Sequence, residues 1–337
     1  MKKIAVAVLA IMLIAAGLMF YLQRQWNVST GPSEAVLIDI PRGLGARGVM
    51  QLLVDRKVIA NRDAALAYVL YSGNRNRLRA GEYMFDHPMT IREVIGRLST
   101  GAVYLHKFTV PEGLTTEATA MKWQEQGFGT AEEFLKAAED AVERVRRLDD
   151  KATTVEGYLF PETYSFPKQT SARRAVDAMI GRFEEMVERM RQVLPVEQWP
   201  LNLHDTVILA SLVESEAAQA DERTLVASVY WNRLKRHILL QCDPTVIYAL
   251  MQEKRYNGKL TLADLQFKSP YNTYMNPGLP PGPISNPGYA SLSAAIQPAV
   301  TDYLFFVRTI ESRHTFSETL AAHNRAVAAY RKMRKPS

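Results

Sequence analysis

The sequence predicts an α+β protein: one apolar N-terminal helix, then a small module of short strands and helices, then a larger, mixed and helix-rich domain. Three observations carry this. Residues 4–22 contain no charge and no proline and are almost wholly Ala, Val, Leu, Ile, Met and Phe, a length sufficient to cross a hydrocarbon layer of about 30 Å. A strand, a Pro-x-Gly-Leu turn and a helix occur twice, at Pro41-Arg42-Gly43-Leu44 and again at Pro111-Glu112-Gly113-Leu114. Beyond these, long charged segments with apolar residues at helical spacing outnumber the short apolar runs that read as strands.

The N-terminal run comes first in the chain and fixes the topology. Lys2 and Lys3 precede it and Arg24 alone follows, so the charge bias places the N-terminus in the cytoplasm and the remainder outside. Neither Tyr21-Leu22-Gln23 nor Asn27-Val28-Ser29 is a good small-x-small cleavage site, which predicts an uncleaved anchor over residues 1–25. The single Cys242 allows no intramolecular disulfide. About 310 residues remain, enough for two or three modules with cores of their own. The formal charge is +6 and the isoelectric point near 9.2, yet Lys and Arg are scattered among Asp and Glu. That is an ordinary mixed surface, and no nucleic-acid partner is expected.

Residues 26–33, with Ser29, Thr30, Gly31 and Pro32, have the composition of a linker. A module over 34–103 follows. Ala35-Val36-Leu37-Ile38-Asp39-Ile40 reads as a strand, Pro41-Arg42-Gly43 as a turn, and 44–54 as a helix with Val49, Leu52 and Leu53 inward. Asn61 caps a helix over 62–71, Gly81-Glu82-Tyr83-Met84-Phe85 is a strand, and Thr90 caps a helix over 91–98 that stops at Gly101. This strand, turn, helix, helix and strand arrangement is similar to the LysM-like modules that bind cell-wall glycans. Gly43-Leu44-Gly45-Ala46-Arg47-Gly48 also spells the dinucleotide fingerprint. The second copy of the turn drops the later glycines, so the match is incidental.

The remaining domain is placed at 104–337. Helices over 131–147 and 172–193 bracket an aromatic and proline cluster at 157–167 that reads as irregular. A helix over 221–234 turns Leu225, Val226, Val229 and Tyr230 inward, and Asp243-Pro244 starts another as N-cap and first helical residue. Six prolines and three glycines between 269 and 289 forbid regular structure there. Such a long loop is usually functional. Its tyrosines Tyr271, Tyr274 and Tyr289 and the amides of Asn272, Asn276 and Asn286 are expected to be held ready for a ligand, as a groove for sugars requires. A short helix from Ser291, a strand over 303–307 and a final helix containing His323 close the chain. No H-E-x-x-H or paired C-x-x-C spacing occurs, so neither metal nor cofactor is expected.

Chemistry centres on the helix from Leu203 to Glu216. Between Val207 and Val213 its only polar side chain is Ser211, so it runs through a core. Glu214 follows on the face of Val207, Ala210 and Ser211, partly desolvated and at the negative end of the helix dipole, the setting of a general acid. The plainer alternative is the first exposed residue of a helix that stops. Glu216 lies about 200° further round the helix and cannot share its cavity. One acid suffices if the nucleophile is the substrate's own C6 hydroxyl, because proximity then replaces the second carboxylate. That is the lytic transglycosylase reaction on peptidoglycan.

Several motifs in order carry a resemblance: Leu209-Ala210-Ser211-Leu212-Val213-Glu214, Asp243-Pro244-Thr245-Val246-Ile247-Tyr248, Tyr256-Asn257-Gly258-Lys259-Leu260, Tyr271-Asn272-Thr273-Tyr274, Gly278-Leu279-Pro280-Pro281-Gly282-Pro283-Ile284 and His314-Thr315-Phe316. With Gly157-Tyr158-Leu159-Phe160-Pro161-Glu162-Thr163-Tyr164 they resemble the MltG-type (YceG-like) endolytic murein transglycosylases. The resemblance implies an enzyme anchored in the bacterial inner membrane with its C-terminal domain periplasmic. It implies internal cutting of nascent glycan strands to leave 1,6-anhydro-N-acetylmuramic ends, beside peptidoglycan synthases (penicillin-binding proteins). Glu214 takes the catalytic position, with Ser215 where many members have Lys. Ser211, Glu216, Asp243, Tyr271, Asn272, Tyr274 and Gly278 are expected as substrate-binding residues. A wall-binding scaffold and a lysozyme-type hydrolase remain alternatives.

Overall fold

Helix α1 (Lys2–Trp26) is the one helix among the described residues that is long and apolar enough to cross a membrane, and none of its apolar window is buried in the protein. Its last residue breaks that pattern. Trp26 is 1 % exposed, donates from its indole nitrogen to the Ala64 carbonyl at 2.8 Å and stacks on Tyr71 with ring centroids 5.2 Å apart. The helix end is therefore part of a core, and the stretch expected as a linker is pinned too, through paired backbone hydrogen bonds between Thr30 and Met89. The computed structural model describes residues 1–217, 219–309 and 313–334; residues 335–337, the end of the second predicted domain, lie outside the described ones.

Two compact units emerge, Met1–Lys107 with Ser165–Thr170, and Phe108–Tyr164 with Ser171–Ser337. In the first, strands β1 (Val36–Ile40) and β2 (Gly81–Phe85) pair antiparallel, Ile38 opposite Tyr83. Alternation turns Ile38, Ile40, Tyr83 and Phe85 inward. Helices α2 (Ala46–Asp55) and α3 (Arg62–Tyr71) lie between the strands in sequence, and α4 (Ile91–Thr100) follows them. They cover that inward face with Val49, Met50, Leu53, Val69, Val94 and Leu98. The caps are those the sequence implies: Asn61 accepts from the Ala64 amide, Thr90 and Glu93 form a capping box, and Gly101 ends α4 in the left-handed region at φ 72°.

The chain continues through β3 (His106–Thr109), α5 (Thr116–Glu125), α6 (Ala131–Glu139), α7 (Val142–Arg146) and β4 (Thr163–Phe166). The turn before α5 repeats the one before α2, with Gly113 at φ 79° and Gly43 at φ 82°. Two expectations are corrected here. The single helix expected over 131–147 is broken at Asp140 and Ala141. The aromatic cluster expected to be irregular contains β4, which pairs with β3. Thr163, Tyr164, Ser165 and Phe166 alternate as a strand does, and the residue before Pro167 is biased to extended backbone.

Helix α8 (Ala172–Val193) precedes the central element of the second unit, α9 (Leu203–Glu216). Asn202 caps it, and every residue from Thr206 to Val213 is buried. It packs against α10 (Arg223–Lys235), α11 (Asp243–Gln252) and α12 (Tyr289–Ile296). Cys242, not Asp243, occupies the cap position of α11, which moves Asp243 into the first turn. Residues 269–288 form no helix or strand. A hairpin of β5 (Phe305–Arg308) and β6 (His314–Ser317) leads to α13 (Leu320–Arg334).

Candidate active site

Three loops that are remote in sequence meet at Asn286, which is fully buried. Its side-chain oxygen accepts from the Gly157 and Leu159 amides at 3.0 and 2.9 Å. Its side-chain nitrogen donates to the Leu114 carbonyl and the Glu156 carboxylate at 2.9 and 3.1 Å. Its backbone pairs with the turn before α5: the Gly113 amide donates to the Asn286 carbonyl, and the Asn286 amide donates to the Leu114 carbonyl. Ser211 ties the same proline-rich loop to α9, accepting from the Ile284 amide at 3.1 Å while donating to the Ile208 carbonyl. Ser211, expected to bind substrate, is fully buried and fixes the loop to α9.

This junction frames Glu214. The apolar run of α9 delivers it into the protein, where its side chain is only 6 % exposed. One carboxylate oxygen accepts from the Gly288 amide at 2.9 Å and the other from Arg223 Nη2 at 3.2 Å. Arg223 is itself oriented by donating from Nε to Ser291 Oγ at 3.0 Å. Glu112 stands 3.5 Å from the same Nη2. A Cβ at Gly288 would lie 1.8 Å from Glu112 Oε1, so a side chain there would displace the Glu112 carboxylate. Burial and the charge of Glu214 raise the Glu112 pKa, against the opposing pull of Arg223.

The other expected site residues fall into separate neighbourhoods. Glu216 points away from Glu214 and accepts from Tyr230 Oη at 3.4 Å and Cys242 Sγ at 3.5 Å. Burial, then the charge of Asp243, pushes it up to about 7. Asp243 accepts from Tyr274 Oη at 2.5 Å. Tyr271 packs with its ring tilted against Tyr248, centroids 5.0 Å apart, in the wall of a cavity of about 730 Å³ whose lining includes Thr116 and Glu156 but not Glu214. Glu156 is buried, takes both the amide and hydroxyl of Thr116, and is pushed up to about 7 by its burial. Gly278 is half-buried at φ 83°. The amides of Asn272 and Asn276 are not free for a ligand: Asn272 donates to Leu265 and Phe267 carbonyls, and Asn276 to Ser269 and Asn272 carbonyls. A buried or half-buried loop must satisfy its own backbone, and these side chains do it.

A pH dependence follows from Glu216. Its folded pKa lies above its ordinary 4.5, so its contribution to stability is complete below pH 4.5 and is lost as pH rises to about 7. Glu216→Gln is expected to remove roughly half of the stability lost between about pH 5 and pH 7.5, at most ~3 kcal/mol, the remainder staying with Glu156. Urea midpoints of the two proteins at both pH values measure it; parallel pH dependences would rule it out.

Sequence reasoning missed Glu112, Arg223, Glu156 and the hub role of Asn286. One signal was visible: the repeated turn has Arg42 in its first copy and Glu112 in its second, so that position is not dictated by the turn. Residues 38–329 match the YceG-like family. The chain is 33 % identical over 318 residues to an endolytic murein transglycosylase of Bacillus subtilis, covering 90 % of this chain and 87 % of that one. It is 27 % identical over 345 residues to one of Streptococcus pneumoniae, covering 93 % of this chain and 62 % of the longer relative. A crystal structure of a yceG-like protein of Listeria monocytogenes superposes with a TM-score of 0.59 at 31 % identity, covering 88 % of this chain and all of that one. With a match running from β1 into α13, this chain belongs to the YceG-like family.

Proposed function

We propose that this protein is a peptidoglycan lytic transglycosylase that cuts glycan strands internally, with Glu214 as its catalytic acid and base. The observation that carries the reading is a single carboxylate delivered by a buried helix into a constructed pocket of Arg223 and the Gly288 amide. The activity for which the relatives are named supplies the substrate class. Protonated Glu214 gives its proton to the glycosidic oxygen between N-acetylmuramic acid and N-acetylglucosamine, and the C1–O bond breaks. The C6 hydroxyl oxygen of the same muramic residue then bonds to C1, and its proton passes to the Glu214 carboxylate. The ring closes as a 1,6-anhydro end, no water is consumed, and the acid is restored.

Around this centre, Tyr271, Asp243 with Tyr274, Glu216 and Gly278 are assigned to the glycan cleft, while Asn272 and Ser211 shape it. Helix α1 is assigned as a single-pass inner-membrane anchor, with the N-terminus cytoplasmic and both units periplasmic; the residues 34–103 are assigned as a LysM-like module. Cutting nascent strands beside penicillin-binding synthases would limit strand length. Mass spectrometry of digested glycan strands tests the chemistry: products lighter by one water than reducing-end fragments are expected. Reducing ends alone would replace this reading with hydrolysis, in which Glu112 and Glu214 act as the pair of carboxylates such enzymes use.

A further inference from the structure

The pocket that holds Glu214 contains a contradiction. A general acid must carry a proton, yet a guanidinium and a backbone N–H both favour the carboxylate. Arg223 is 13 % exposed and Glu214 6 % exposed, so solvent screens their pairing only weakly. Glu112 resolves the conflict. It stands at the same Nη2 atom, at 3.5 Å against 3.2 Å for Glu214, and it is 47 % exposed. One cation therefore serves two carboxylates, and the three groups together are neutral only when one proton is bound.

We propose that Glu112 sets the protonation of Glu214, as the counter-charge that offsets Arg223 and leaves Glu214 free to carry the catalytic proton. Glu112 acts through Arg223 and is a positioning residue. The proposal rests on Glu214 being the acid. Burial, and then the charge of Glu214, raise the pKa of Glu112, so the two carboxylates are coupled.

Among the described residues, no other charge competes for this role. On the elements packed against α9, Tyr230 faces Glu216, Asp243 faces Tyr274, Tyr248 faces Glu156, and Arg189 lies over the ring of Tyr289. Arg233 donates to the Leu304, Leu239 and Leu240 carbonyls. Glu222, beside Arg223 in sequence, is taken by His314. Among the described residues, the polar groups bonded to Glu214 are Arg223 and the Gly288 amide, with Glu112 on the same guanidinium.

The sign of the effect is fixed. Neutralising Glu112 leaves Arg223 to Glu214 alone, the proton leaves Glu214 at lower pH, and the acid form disappears earlier as pH rises. The test is the pH profile of kcat for anhydro-ended product, measured with the full chain in detergent on defined glycan strands. Glu112→Gln is expected to move the alkaline limb down by about one pH unit, a loss of about tenfold at neutral pH, with activity within about twofold of wild type well below the limb. Adding Arg223→Gln to Glu112→Gln is expected to carry the limb back up. An unmoved limb, whether activity is unchanged or uniformly reduced, overturns the proposal. If Glu112→Gln does not fold, Glu112→Asp, whose shorter arm withdraws from Arg223, must move the limb in the same direction. Failure of the underlying reading is separate: Glu214→Gln forming anhydro ends at the wild-type rate removes Glu214 as the acid, whatever Glu112 does.

Discussion

Glu214→Gln is expected to lower kcat for anhydro-ended product by at least about 10³-fold while leaving the folded protein intact. Glutamine can neither give the proton to the glycosidic oxygen nor take one from the C6 hydroxyl, and each of those transfers is typically worth 10² to 10⁴ in rate. No neighbour can stand in. Glu216 lies against Tyr230 and Cys242, and the Glu112 carboxylate is engaged by the Arg223 guanidinium at 3.5 Å. The structural change is small, because the glutamine oxygen still accepts from the Gly288 amide and Arg223 keeps Glu112 and Ser291 as partners. The measurement is product release from purified strands beside a thermal melt. More than a tenth of wild-type product from a fully folded variant would sink the assignment.

The parts of this architecture that were legible in the sequence are those set by local rules. The alternation in β1 and β2, the caps at Asn61 and Thr90, and the buried run of α9 are each fixed within a few residues. Glu214 was legible for the same reason, since helical spacing alone carries it out of an apolar stripe. Its partners were not. Glu112, Arg223 and Gly288 come from three segments that only tertiary folding brings together, and no periodicity in one segment refers to another. The proline-rich loop shows a third case. Its composition announced aromatic and amide side chains, but composition does not say whether an amide faces a ligand or closes its own loop, and Asn272, Asn276 and Asn286 all do the latter or bridge to a neighbouring segment.

Asn286→Ala is expected to destabilise the second unit by about 4 kcal/mol, the largest loss from a single side chain near the site. The substitution leaves the Gly157 and Leu159 amides without their acceptor and Glu156 without one of its donors, all in the interior. Each buried group left unsatisfied costs about 1–3 kcal/mol. The Leu114 carbonyl is spared, because the Asn286 backbone amide still donates to it. For a unit of this size about 4 kcal/mol corresponds to a fall in Tm of about 10 °C, and differential scanning calorimetry of the detergent-solubilised protein measures it. Activity is expected to fall further than the folded fraction at temperatures where the variant remains native. The turn that carries Glu112 is held by Asn286 on one side and by the cap that Glu156 provides to Thr116 on the other. Loosening it lets Glu112 leave Arg223, and the pH limb of the surviving activity should then move in the direction of Glu112→Gln. A Tm within about 2 °C of wild type would mean that water or a neighbouring donor satisfies the exposed amides, and Asn286 would lose its place as the hub of the three loops.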